Sequence, residues 1–329
     1  MSEGKAALPD RLRLMVHDHG GVVSIAVFFV AMALIFSLIT DTFLTQINLL
    51  NILRQIAPLM IVAVAMTFVI TTAGIDLSVG SVVALINALA AISLQAGIPW
   101  PVVVALMLGT GIVIGIVQGF FIAYEGIPAF IVTLAALSAI RGTALLLTKG
   151  YSIPIDPASP FNEIGRGWIF GLPMPAIIAV CVLVAGFLVF NETTFGRYVT
   201  GIGANAEAVR RAGINTRLVT LSVYAISGLS AAMAGIIIAA RLGSGSSNSA
   251  VGFELDVIAA VVLGGTSLFG GRGTMLGTML GALTVAVIGN GLILYHLSPF
   301  ITPIVEGIII LVAIWLNFRL FRTGRRAGG

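Results

Sequence analysis

Long unbroken apolar runs, rather than strict alternation or a narrow 3.6-residue stripe, set the pattern of this chain. Ten stand out, at about 21–40, 56–73, 78–97, 101–124, 129–148, 175–191, 217–240, 254–271, 274–295 and 299–317. About 20 apolar residues in a row suffice for a helix to cross the hydrocarbon core of a bilayer. The pattern therefore predicts an all-α polytopic membrane protein with about ten transmembrane helices, several of them broken by glycine. The eighth run is the weakest. The first follows Lys5, Arg11 and Arg13 as a signal peptide would. It is too long for a cleaved segment and is followed by Asp41 and Thr42 rather than small residues, so it reads as an uncleaved helix. The organisation is then a tail over 1–20, a membrane domain over 21–317 and a basic tail over 318–329.

One stretch breaks the pattern. Asn191 to Arg217 reads NETTFGRYVTGIGANAEAVRRAGINTR, a polar island between two apolar runs. Asn205 is placed to cap a short helix through Val209 to Ala212. Glu207 lies three and four residues before Arg210 and Arg211, the favourable order on a helix. Gly213 follows as a stop. Ala208, Val209 and Ala212 share a side. A helix of two turns does not hold in water alone and needs a surface to rest on. The loop 192–216 therefore reads as a docking element, with a plain membrane-surface connector as the blander reading.

Composition and charge sharpen this. Of the 329 residues, 58% are hydrophobic and 9% charged, against about 25% charged in soluble domains. The solvent of such a chain is lipid. The net charge of +4 needs no nucleic acid, since basic residues collect at the ends of membrane helices. With the N-terminus inside and ten crossings, four of the 17 Lys and Arg fall outside: Arg54, Lys149, Arg166 and Arg241. Arg141 lies within a span and the rest are inside. That bias predicts both termini and the 192–216 loop on the cytoplasmic face (N-in, C-in). The longest outer loop, 149–174, is rich in Pro and Gly and is free to face an external partner.

Small residues repeat every four positions at Gly111, Gly115 and Gly119, at Ala231, Gly235 and Ala239, and at Gly273, Gly277 and Gly281. Such ladders let helix backbones approach closely, and static packing is the simpler reading than a substrate path. GIDLSVG (74–80) and GTSLFGG (265–271) share the frame G-x-x-L-x-x-G, a weak sign of an internal repeat. Charges at membrane depth cost about 2.5–3.5 kcal/mol each and need a reason. Asp76 sits in a glycine-flanked break between the second and third helices, with Ser78 as a candidate N-cap; the break is a gate or a tight turn. Arg141 and Glu306 are candidates for an intramembrane ion pair. Asn87, Gln118 and Asn290 are polar groups within spans, either path-lining or interhelical hydrogen bonds.

Several chemistries lack their residues. No Lys follows a glycine-rich loop with Walker A spacing. His17, His19 and His296 form no Ser/His/Asp set, and no zinc spacing surrounds the single Cys181. Gly201, Gly203 and Ala206 fit G-x-G-x-x-A, but without the strand–helix–strand unit that gives the fingerprint meaning. No catalytic residue and no metal ligand is predicted.

Three segments carry a resemblance: TTAGIDLSVGS (71–81), GRYVTGIGANAEAVRRAGI (196–214) and ELDVIAAVVLGGTSLFGGRGTMLG (254–277). With them the chain, from NLLNILRQIAP at 48–58 to the end of the last helix, resembles the permease subunits of ABC importers for monosaccharides, the ribose-type members of the branched-chain amino acid/ribose permease family. The resemblance implies a bacterial inner-membrane permease that forms a dimer, of itself or with a close relative. It implies two copies of a cytoplasmic ABC ATPase, often one fused double-length chain, holding ATP and Mg, and a periplasmic sugar-binding protein. This chain would bind no cofactor of its own. Gly196, Arg197, Gly203, Asn205, Ala208, Ala212 and Gly213 match the family's coupling segment, whose helix would seat in the ATPase.

Other readings stay open at this point. An ABC permease for branched-chain amino acids or another small metabolite would look much the same. An ion-coupled secondary transporter would use Asp76 or Glu306 at a broken helix, but has no use for a docking helix. A membrane scaffold has no use for broken, polar spans.

Overall fold

The structure, a computed structural model, describes residues 20–298 and 300–322. Residues 1–19 and 323–329, most of the two predicted tails, lie outside the described residues. Twelve α-helices follow in order: α1 (Gly20–Ile39), α2 (Gln46–Thr71), α3 (Val79–Gln95), α4 (Trp100–Ala123), α5 (Ala129–Thr148), α6 (Glu163–Arg166), α7 (Met174–Glu192), α8 (Thr194–Arg211), α9 (Thr216–Leu242), α10 (Phe253–Leu263), α11 (Met275–Leu294) and α12 (Thr302–Arg322). Strands of two residues each, β1 (Ile153–Pro154), β2 (Trp168–Ile169), β3 (Leu172–Pro173) and β4 (Ser244–Gly245), pair β1 with β4 and β2 with β3 at the loops.

Seven of the described helices (α1, α2, α4, α5, α7, α9 and α11) are long and apolar enough to cross a membrane; α3 and the apolar part of α12 are shorter. The count differs from ten for physical reasons. α10 stops at Leu263, where Gly264 caps it and Gly265 turns with φ 91°. Its 11 residues rise only about 16 Å, half the hydrocarbon thickness. The predicted span 254–271 is thus a half-helix followed by an irregular loop. The second helix begins at Gln46, ten residues before its apolar run, because Thr45 caps it by accepting from the Asn48 amide.

α2 is the central helix. It packs against α7, α9, α10 and α11, while α9 fills the space between α2, α3 and α4. Nearly every residue of α2 from Ile56 to Thr71 is buried. The ladders explain the closeness. A side chain at Gly111 or Gly115 would collide with the backbone of α9 at Gly228 or Tyr224, and Gly277 and Gly281 lie against the backbone of α10. Gly235 meets α3 at Val83 and Ile86. The ladders are packing faces, as their simpler reading had it; Gly273 itself precedes α11. By contrast α1, α4, α5 and α7 present large exposed apolar side chains such as Leu38, Val113, Leu146 and Val184, the surface of a protein dissolved in lipid.

Candidate functional site

α8 is held at one end of the bundle by its first half and bares its second. Thr193 caps it, accepting from the Gly196 amide. Phe195 packs beside Phe68 of α2, and Phe190 at the end of α7 makes an edge-to-face contact with the same ring at 5.3 Å. Gly196, Val199 and Ile202 are buried, while Arg197 is exposed. The helix then kinks at Asn205, which has extended angles (φ −164°, ψ 92°) inside it. The Asn205 side chain accepts from the Ala208 amide at 3.0 Å and so caps a second short helix, as its position predicted.

That second half is exposed: Ala204, Ala206, Glu207, Ala208, Arg210, Arg211, Ala212 and Gly213 all face outward. Glu207 accepts two hydrogen bonds from Arg210, both 2.9 Å, and one from Arg211 at 3.0 Å. These bonds, Arg210's first, hold the Glu207 carboxyl below its usual range, and Glu207 in turn raises Arg210. Gly213 (φ 85°) ends the helix with its amide on the Arg210 carbonyl. The result is a small alanine surface beside two cationic side chains.

The kink rests on backbone. A Cβ at Gly203 would overlap the Thr71 carbonyl at the end of α2 and the Gly271 amide. The Gly271 amide donates to that same Thr71 carbonyl at 2.9 Å. Gly270 lies against Ala73 and the Gly203 carbonyl. Three segments distant in sequence therefore meet main chain to main chain: α8, the α2–α3 break and the 264–274 loop. The two members of the suspected repeat, 74–80 and 265–271, thus lie at the same end. Both follow helices that close with the same cap, Gly74 to Val69 and Thr266 to Val261. The same closure ends α3 and α8, so it does not single the pair out.

Beyond Gly74 the break carries Asp76, buried with its oxygens fully engaged. Asp76 Oδ1 accepts from the Ser78 amide (2.9 Å) and hydroxyl (2.7 Å), and Oδ2 from Ser227 of α9 (2.6 Å). Gln118 of α4 donates to the Ser78 hydroxyl at 2.8 Å. Ser78 therefore does not cap α3 with its side chain: its hydroxyl donates to Asp76 and accepts from Gln118. Thr133 of α5 donates to the Ile75 carbonyl at 3.1 Å. Tyr224 Oη, against Gly74, and Gln118 Oε1 are buried without a partner among the described residues. A carboxylate is tolerated at such depth only with this many donors.

The remaining predicted residues lie apart from this cluster. Asn290 of α11 exchanges two 3.0 Å hydrogen bonds with Asn48 of α2, a closed amide pair. Asn87 accepts from the Ser246 amide and fixes the loop after α9. Arg141 and Glu306 do not pair. The guanidinium reaches the carbonyls of Ser247 and Ser249 (2.8 Å each) and Ala250 (3.2 Å) instead, because that loop folds over α5. Asp76, Ser78 and Gln118 are thus brought together, and Asn87, Asn290, Arg141 and Glu306 are not.

The far end of the bundle holds the 149–174 loop, where Arg166 donates to the Arg241 carbonyl at 2.9 Å. Two cavities lie there. One, of about 550 Å³, is lined by residues including Gln95, Trp100 and Asp156; the other, of about 320 Å³, includes Gln55, Arg241 and Phe253. No cluster of three potential metal ligands occurs among the described residues.

The profile of the branched-chain amino acid transport system / permease component family matches residues 48–314, which include all but the first two residues of α2, all of α3 to α11 with the kinked α8, and the Asp76 break. The chain belongs to that family. Among its relatives, a probable ABC transporter permease of Escherichia coli K12 is 38% identical over 331 residues, covering 99% of both chains. The ribose import permease of the same strain is 41% identical over 286 residues, 86% of this chain and 89% of the relative. The galactofuranose transporter permease is 38% identical over 273 residues, 83% and 80% of the two chains. No solved structure matches. Within this permease family the residues that sequence alone did not single out are Thr71, Ser227, Tyr224, Gly270 and Asn48. Each is an ordinary small or polar residue in its own helix or loop, and only the fold shows its partner.

Proposed function

We propose that this chain is the inner-membrane permease subunit of an ATP-driven ABC importer for a monosaccharide. Its relatives carry names for ribose, galactofuranose and xylose transport, which support a pentose, a hexose or a related sugar as cargo. The observation that carries the reading is the two-part α8. One half is clamped to the core through Gly196, Val199 and Ile202, and the other offers exposed alanines and Arg210 and Arg211 to a partner.

In this reading both termini and α8 face the cytoplasm, and the chain pairs with a second copy or close relative. A cytoplasmic ABC ATPase holding ATP and Mg grips α8. A periplasmic sugar-binding protein docks at the opposite end, near the 149–174 loop and its cavities. ATP binding and hydrolysis on the partner bias a rigid-body equilibrium between outward-open and inward-open forms. The permease contributes binding, packing and movement and performs no covalent step.

Uptake measured in sealed vesicles tests this. Sugar entry that needs ATP and the binding protein, and persists when the proton and sodium gradients are collapsed, is the expected result. Entry that follows an ion gradient in the absence of ATP contradicts it.

A further inference from the structure

The α2–α3 break is joined on one side to the docking helix and on the other to the core, by two different kinds of contact. On the α8 side the join is made of backbone. Gly203, Gly270 and Gly271 touch Thr71 and Ala73 with no side chain between them. Backbone-to-backbone contact of this kind does not yield by a rotamer change, so a displacement of α8 reaches Thr71 undiminished. Ala73 stands in the left-handed region (φ 62°) at the joint, which costs a non-glycine residue about 1–2 kcal/mol. The turn is held there by its surroundings.

On the core side the join is polar and buried. Asp76 binds Ser227 of α9, and Ser78 links it to Gln118 of α4. α4 and α9 are themselves pressed together along Gly111, Gly115 and Gly228, so they form one rigid unit. The partnerless Tyr224 Oη and Gln118 Oε1 beside the knot give it donors and acceptors in excess of those now used.

We infer that the Asp76 knot carries the movement of α8 into the core: the Gly203–Thr71–Gly271 junction moves the α2–α3 break with α8, and Asp76, through Ser227 and through Ser78 to Gln118, ties that break to α9 and α4. A tilt of the docking helix is thereby passed through the break to α4 and α9. Asp76, Ser227 and Gly203 are positioning residues. Asp76 and Ser227 are buried in the bundle, and all three set how much of the ATP-driven movement reaches the membrane helices. The inference rests on the importer reading given above.

The test uses the whole complex in proteoliposomes, with ribose and xylose as probes, and reads sugar carried per ATP hydrolysed. This ratio is indifferent to how much protein survives purification, so a loss of yield alone leaves it unchanged. Ser227→Ala, which adds no bulk and lies away from the docking face, is expected to lower the ratio about tenfold, while ATP hydrolysis per assembled complex stays within about twofold. Ser227→Thr, which keeps the hydroxyl, is expected to restore it. An unchanged ratio in Ser227→Ala overturns the relay, even if its yield falls. A wild-type chain that never brings an ATPase removes the importer reading itself, and that is known before any variant is made.

Discussion

Single residues in this protein carry three kinds of duty, and each makes its own prediction. Arg141 ties the 247–250 carbonyls to α5. Arg141→Ala removes charge-assisted hydrogen bonds worth about 1.5–3 kcal/mol, to be seen as a lower thermal midpoint in detergent. Arg141→Lys recovers little, because a point ammonium does not span three carbonyls. Asn290→Ala leaves Asn48 half-satisfied and costs about 1 kcal/mol, measured the same way, with sugar uptake per molecule kept. Glu207 behaves as a surface pair. Its depressed carboxyl contributes order to the second half of α8 above the ordinary value of 4.5, and that contribution is lost as the pH falls through the lowered folded value. Protection of the 206–212 amides, with exchange referred to the intrinsic rate at each pH, should therefore fall at acid pH in the wild type, and much less so in Glu207→Gln.

At the scale of elements, α8 and α10 show what a sequence can and cannot convey. The second half of α8 was legible because its signals are local: Asn205 as cap, Glu207 before two arginines, Gly213 as stop. Its first half was not, since Thr194 to Gly203 is helical chiefly through its anchorage on Phe68 and the Thr71 turn. The end of α10 was hidden for a related reason. Apolar residues continue past Leu263, but Gly264 and Gly265 close the helix, and the loop beyond is satisfied by contacts with α2 and α8 that lie far off in sequence. The pairing of Arg141 with Glu306 failed on the same ground: charge alone suggested it, while the loop carbonyls were nearer. Lengthening α10 by Gly265→Ala would remove its positive-φ turn, and the expected result is a destabilised chain with impaired uptake, read by yield and transport together.

Over the whole molecule the apolar pattern established a membrane protein of many helices, and the family motifs established a permease. What neither conveyed is which distant segments meet at each end. One end gathers α8, the α2–α3 break and the 264–274 loop into a single junction; the other gathers the 149–174 loop, Arg166, Arg241 and two cavities. A transporter driven from one side and loaded from the other needs that separation. The central claim is that α8 is where a cytoplasmic ATPase takes hold. The most direct measurement is to isolate the protein from its native membrane in mild detergent and identify what accompanies it, for the wild type and for Arg210→Glu with Arg211→Glu. The account predicts a nucleotide-binding subunit with the wild type that is lost from the double variant while the permease itself remains in the membrane. A wild-type protein that comes without any nucleotide-binding subunit, or a double variant that keeps it in full, would contradict the account.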